Sequence, residues 1–182
     1  MSTITDRAVG AGLSLRRLYF VRFAFAVVWA GLLFATASGL GAVSGTLLVL
    51  YPVFDAVAAV VDARSSKATR PVPGLYVNIA VSLLAAAGLA IAASSGIPAV
   101  LRVWGSWAIV SGLVQLLVGA GRRGLGGQWP MIVSGTVSVV AGASFIVQAA
   151  KDGASLTTLA AYATLGGVFF LLSALRLGRT AR

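Results

Sequence analysis

Six apolar runs follow one another along this chain, each close to the length that crosses a bilayer, with only short polar breaks between them. A membrane-spanning helix needs about 20 mainly apolar residues to cover about 30 Å of hydrocarbon, and that requirement fixes the fold class before any motif is considered. Only 10% of the 182 residues are charged and 59% are hydrophobic, where a soluble domain carries about 25% charged residues. The expectation is an all-α integral membrane protein with six transmembrane helices.

Taken in order, residues 1–17 form a short polar tail that ends in Arg16-Arg17, and residues 18–182 form one membrane domain of three helical hairpins, 18–61, 75–120 and 129–176. The first run is interrupted by Arg22 and ends in Ala35-Thr36-Ala37, an A-x-A of the kind a signal peptidase accepts. A cleaved signal is the alternative there. Arg22 splits what would be its apolar region, and the run has counterparts downstream, so an uncleaved helix is the reading. Ser38-Gly39-Leu40-Gly41 is too short to do anything but join antiparallel neighbours. The stretch from Asp62 to Gly74, with Pro71 and Pro73, separates hairpins one and two, and the basic, glycine-rich loop 121–128 separates two from three. Trp129-Pro130 opens the fifth helix, with proline in the first turn, where its missing N–H is harmless.

The formal charge of +10 would raise the question of nucleic acid in a soluble protein. Here the basic residues fall at the ends of apolar runs, and no basic helix or aromatic platform accompanies them, so lipid is the expected partner and nucleic acid is not. All of them except Arg22, Arg102 and Lys151 collect on one side: Arg7, Arg16 and Arg17, then Arg64, Lys67 and Arg70, then Arg122 and Arg123, then Arg176, Arg179 and Arg182. The positive-inside rule makes that side, and both termini, cytoplasmic.

The hairpins look like copies of one unit. Ala30-Gly31, Ala87-Gly88 and Ala141-Gly142 fall in the middle of helices one, three and five. Gly39, Gly96 and Gly153 mark the turns at intervals of 57, and Tyr51, Trp107 and Tyr162 occupy one position in helices two, four and six. Three parallel repeats predict a pseudo-threefold axis along the membrane normal. Gly41-x-x-x-Gly45, Gly135, Gly142 and Gly166-Gly167 read as close-packing positions, within the monomer or in a homo-oligomer.

Polar residues inside lipid are costly and are the default functional candidates. If the first turn centres near residue 40, Arg22 on one helix faces Asp55 on the other within a turn. Three roles are open to the two: a structural ion pair, an Arg22 that snorkels to the inner surface alone, or a proton-linked or gating Asp55. Asn78 and Gln115, with Gln148, are candidates for interhelical hydrogen bonds. Arg102 reads as an outer-surface anchor beside Trp104, with substrate binding as its alternative. The serines, Ser82, Ser111, Ser134 and Ser138 among them, are expected to bond back to their own helices. With no histidine and no cysteine, imidazole and thiolate chemistry and the usual zinc sets are excluded. No nucleophile has a base beside it, so no enzyme, metal or cofactor is expected. Gly119-x-Gly121-x-x-Gly124 matches a dinucleotide fingerprint in letters only, because it ends a membrane helix and follows no strand.

The string Ser106-Trp107-Ala108-Ile109-Val110-Ser111-Gly112-Leu113-Val114-Gln115-Leu116-Leu117, together with Tyr51-Pro52-Val53-Phe54-Asp55 and the three-hairpin plan, resembles the HdeD-like family of bacterial acid-resistance membrane proteins from Arg17 to Arg179. The resemblance implies a protein of the inner membrane linked to acid or envelope stress, and the reading of this chain adds a structural or interaction role, with a second copy or other membrane proteins as partners. The alternative is a small transporter or channel whose polar path runs near Arg22 and Asp55. Asp55 and Arg22 match acidic and basic positions of the family's repeat. Gln115 stands where the family would place a glutamate, and the Pro-Gly turns often seen there are replaced by Ser38-Gly39, Ser95-Gly96 and Asp152-Gly153.

Overall fold

The computed structural model describes residues 2–66, 73–121 and 129–179. Lys67, Arg70, Pro71, Arg122, Arg123, Gly124 and Arg182, on which part of the charge and motif reading rests, lie outside the described residues. Within them are six long helices: α1 (Ser2–Thr36), α2 (Ala42–Ser66), α3 (Pro73–Ala92), α4 (Ile97–Gly121), α5 (Trp129–Gln148) and α6 (Thr157–Arg179), with a 3-10 turn at Ala93–Ser95 before α4. Five of them are long and apolar enough to cross a membrane, and α5 carries a shorter apolar stretch, Ile132–Gln148. The polar tail does not form an element of its own: α1 begins at Ser2, so the tail prolongs the first helix.

Each helix packs against its neighbours in sequence, and α6 returns to pack against α1, so the six close into a ring. Neighbours run antiparallel throughout, as paired contacts show. Arg22 and Trp29 of α1 meet Asp55 and Leu47 of α2, and Gly105 and Gly112 of α4 meet Gly142 and Gly135 of α5. The tightest packing lies between hairpins rather than within them, at α4·α5, α1·α6 and α2·α3. Each hairpin thus presses its second helix onto the first helix of the next, the cyclic arrangement that three copies of one unit produce.

Small residues set how close these seams come, because lipid gives helices no hydrophobic reason to associate and dispersion contact must do it. At α4·α5 four glycines face one another across two turns. A Cβ added at Gly142 would lie 2.5 Å from the carbonyl oxygen of Gly105, and one at Gly112 would lie 2.7 Å from that of Gly135. At α1·α6, Gly167 approaches Ala26, whose Cβ would be 3.2 Å from an added one. The sequence pattern is only partly right about these positions. Gly31, Gly41 and Gly166 have nothing within 4 Å of an added Cβ, whereas Gly105, in no repeated pattern, is one of the tightest points in the molecule.

The turns between α3 and α4 and between α5 and α6 depend on Gly96 and Gly153, whose φ values of 94° and 80° put them in the left-handed region. Gly39 does not share it. The first turn is held instead by one hydroxyl, Ser44 Oγ, which accepts the Gly41 N–H at 2.9 Å and donates to the Gly39 carbonyl at 3.1 Å. Large apolar side chains such as Phe34, Leu84, Ile91, Leu117 and Val140 cover the outside of the ring. A single buried core inside it draws on all six helices, from Trp29 and Leu33 through Leu48, Leu89, Leu101 and Trp104 to Phe145 and Leu159. Apolar side chains both inside and outside identify a helical multi-pass membrane protein.

The glycine seam makes a direct prediction. Gly142→Ala should lower stability by about 1–3 kcal/mol, the usual range for overpacking, and Gly31→Ala, from the same Ala-Gly repeat position, should leave it unchanged or slightly raised. Unfolding of the detergent-solubilised protein, followed by circular dichroism, measures both.

Candidate functional site

The first hairpin supplies the centre of the site. Asp55 lies one turn beyond Tyr51, whose ring reaches across to Trp104 and Trp107 of α4 at 5.5 and 6.0 Å between centroids. That face of α2 therefore points into the ring. A bare carboxylate there would be costly, and both of its oxygens are engaged. Oδ1 accepts an ion-paired hydrogen bond from Arg22 Nη2. Oδ2 accepts from Asn78 Nδ2 at 2.7 Å and from Ser82 Oγ at 2.9 Å. Ionised carboxylates accept and never donate, and three donors converge on this one.

Each donor is held in turn. Asn78 and Ser82 stand four residues apart on α3 and so share a face one turn apart. Ser82 is fully buried, and its oxygen also accepts the indole N–H of Trp107, at 3.2 Å. The guanidinium of Arg22 lies 4.7 Å from the centroid of Phe170 on α6, a cation–π contact. One carboxylate thus connects α1, α2 and α3 directly, α4 through Ser82 and Trp107, and α6 through Arg22 and Phe170.

Next to this cluster, toward the hairpin turns, aromatic rings fill the interior. Trp29 meets Tyr51 edge-on at 4.6 Å and stacks on Trp104 at 5.3 Å, and Trp104 meets Trp107 at 5.3 Å. Pro52 shapes this region from α2. It has no N–H to give the Leu48 carbonyl, and in the same turn the Leu47 carbonyl accepts the Trp29 indole N–H at 2.6 Å.

Among the residues singled out from sequence, Arg22, Asp55 and Asn78 come together as one group. Gln148 makes an interhelical bond, accepting from Thr158 Oγ1 at 2.9 Å. Gln115 stays apart, and its buried Oε1 has no partner among the described residues. Arg102 is exposed, while Trp104, expected beside it, lies at the centre of the core. Ser82, Ser111 and Ser138 depart from the expected bonding to their own helices, and Ser111 Oγ has no partner among the described residues. Ser138 pairs with the Tyr162 hydroxyl at 2.8 Å. The repeat explains the common geometry: the position against the repeated aromatic is Ser82 facing Trp107, Ser138 facing Tyr162, and Phe25 packed on Tyr51 at 5.6 Å. The spacing of Asn78 and Ser82 was the legible signal for a polar face on α3. Nothing in the sequence pointed to the indole of Trp107 as a donor.

Among the described residues no three acidic, histidine or cysteine side chains come together as a metal site would need. The cluster offers one ion pair and a chain of hydrogen bonds. Comparison of the chain with protein-family models, with curated proteins and with solved structures gave no match.

Removing one partner from a buried ion pair typically costs about 3–5 kcal/mol, because the other charge is left uncompensated. Arg22→Ala and Asp55→Ala should each destabilise the protein by roughly that amount, and Asn78→Ala by about 1 kcal/mol, as befits a single hydrogen bond. The double variant Arg22→Met/Asp55→Leu should recover most of the loss. Chemical unfolding of the four variants in micelles separates these outcomes.

Proposed function

We propose that this chain is a six-span protein of the bacterial inner membrane, of the HdeD-like type, with both termini in the cytoplasm. In this reading it supports acid or envelope stress tolerance through a structural or interaction role and catalyses no reaction. The observation that carries the reading is the closed bonding of Asp55, whose two carboxylate oxygens are taken up by Arg22, Asn78 and Ser82. A group so engaged is built to hold helices together, since taking up a proton or binding a substrate there would mean breaking contacts to two neighbouring helices at once. The orientation follows from the arginines that cluster at the helix ends opposite the hairpin turns.

A transporter or channel would need an open axis past Asp55. Trp29, Tyr51, Trp104 and Trp107 pack against one another in that position, which favours the structural reading. Its partners are the surrounding lipid and other membrane proteins, a second copy of this chain included.

Two measurements test the proposal. Proteoliposomes holding the purified protein should show proton and ion flux no greater than empty vesicles, and a flux abolished by Asp55→Asn would sink the structural role. In a deletion strain under acid challenge, survival restored by Asp55→Asn and Arg22→Ala should follow the amount of folded protein in the membrane. Loss of survival at full protein level would point to a proton-linked pair instead.

A further inference from the structure

Three arginines stand where the lipid-facing stripes of neighbouring helices end. On α1, Arg17 continues the exposed stripe that carries Val21 and Val28. On α2, Arg64 ends the stripe of Val57 and Val61, and on α6 Arg176 ends that of Val168 and Leu172. All three arginines are exposed. Helix α1 packs against both α2 and α6, so the three lie on one arc of the ring's outer surface. They also mark the edge of the hydrocarbon, because the apolar spans of these helices begin at Leu15 and end at Arg64 and Arg176.

Contacts between the helices give the relative depth of the arginines. From the Arg22–Asp55 pair, Arg64 lies nine residues outward and Arg17 five. From the contact of Tyr19 with Phe170, Arg176 lies six residues outward and Arg17 two. Both counts put the Cα of Arg17 about 6 Å deeper than the other two. The Cα–Cβ bond of a helical residue tilts toward the N-terminus of its helix. For Arg17 that direction is outward, and for Arg64 and Arg176, on helices that run the other way, it is inward. The tilt brings the three long side chains toward one level. None of the three has an ionic or hydrogen-bond partner among the described residues. Arg16 adds a fourth charge from the next position on α1, its guanidinium 5.6 Å from the centroid of the Phe20 ring. Of the chain's acidic residues only Asp6 and Asp62 fall on the side that collects the arginines.

We propose that the outer face of α6, α1 and α2, at the end opposite the hairpin turns, binds the headgroup of an anionic phospholipid through Arg17, Arg64 and Arg176. The guanidinium fork matches a phosphate in a bidentate way and gives up its hydration readily. A ligand here must also be amphipathic, since the surface continuing from the arginines is the run of exposed valines and leucines on which acyl chains lie. A soluble phosphate or an acidic peptide would leave that run uncovered. A zwitterionic headgroup would bring its own ammonium against three guanidinium groups, so the fit is to a lipid of net negative charge. The inference rests on the multi-pass fold, and because it is defined relative to the turns it holds for either orientation in the membrane.

Native mass spectrometry of the full chain, titrated in detergent with dioleoylphosphatidylglycerol or dioleoylphosphatidylcholine, tests it. The unaltered chain should bind phosphatidylglycerol more tightly. Arg17→Gln, Arg64→Gln and Arg176→Gln should each weaken that binding roughly fivefold, the effect of one arginine near a membrane surface, and the triple variant should lose the preference. Arg122→Gln/Arg123→Gln/Arg182→Gln removes the same charge elsewhere in the chain and should keep it. The three arginines are exposed, so their replacement leaves the core intact, and circular dichroism verifies each variant. Equal loss in the two triple variants, the mark of a diffuse field, would overturn the site, and so would phosphatidylcholine bound as tightly as phosphatidylglycerol by the unaltered chain. Extraction of the chain from membranes by alkaline carbonate would instead overturn the multi-pass fold, and the inference with it.

Discussion

A carboxylate placed in the middle of an apolar helix must be matched or expelled, and much of this molecule is arranged around matching one. Asp55 cannot satisfy itself from its own helix, because the backbone donors of α2 are used in its own ladder. Its partners must come from neighbours, and they come from α1 and α3 together. Those neighbours are then fixed in register, since Arg22 and Asn78 reach one carboxylate only if both helices stand at the right depth. Extension of the network to Trp107 and Phe170 carries the same constraint to α4 and α6.

Only α5 is left out of that network, and it is held in a different way. Its seam with α4 is closed by four glycines that bring the backbones together. Its links to α6 are the bond between Ser138 and Tyr162, the bond from Thr158 to Gln148 and the edge-on contact of Phe145 with Tyr162. Polar bonding dominates where the ring holds a charge, and backbone contact dominates where it holds none. Three copies of one hairpin thus use unequal means to close, and the inequality follows from the one acidic residue that Ser111 and Gly166 replace in the other two copies.

Much of this could be read without coordinates. The all-helical class and the meeting of Arg22 with Asp55 follow from run length and from counting outward from a turn, both of which are local. The packing glycines were read less well. Gly31 and Gly142 share a repeat position, yet only Gly142 faces another backbone, because the two helices meet different neighbours. Ser82 was expected to bond to its own helix, as an isolated helical serine does, and it is drawn away by a stronger acceptor on α2. Arg102 was expected to stand beside Trp104, but the phase of α4 turns Arg102 outward and Trp104 to the centre.

What the sequence by itself determined is the set of helices and their order, because hydrophobic run length and turn residues act within one segment. It also determined that a lone charge pair had to be reconciled inside the first hairpin, because burying either charge alone is too costly. Tertiary structure alone decided how the hairpins close into a ring, which glycines touch, and which donors complete Asp55. Those outcomes depend on the rotation of each helix about its axis, and that rotation is set jointly by all its neighbours. It also decided that aromatic rings fill the interior on the turn side of Asp55, an arrangement that no single helix carries.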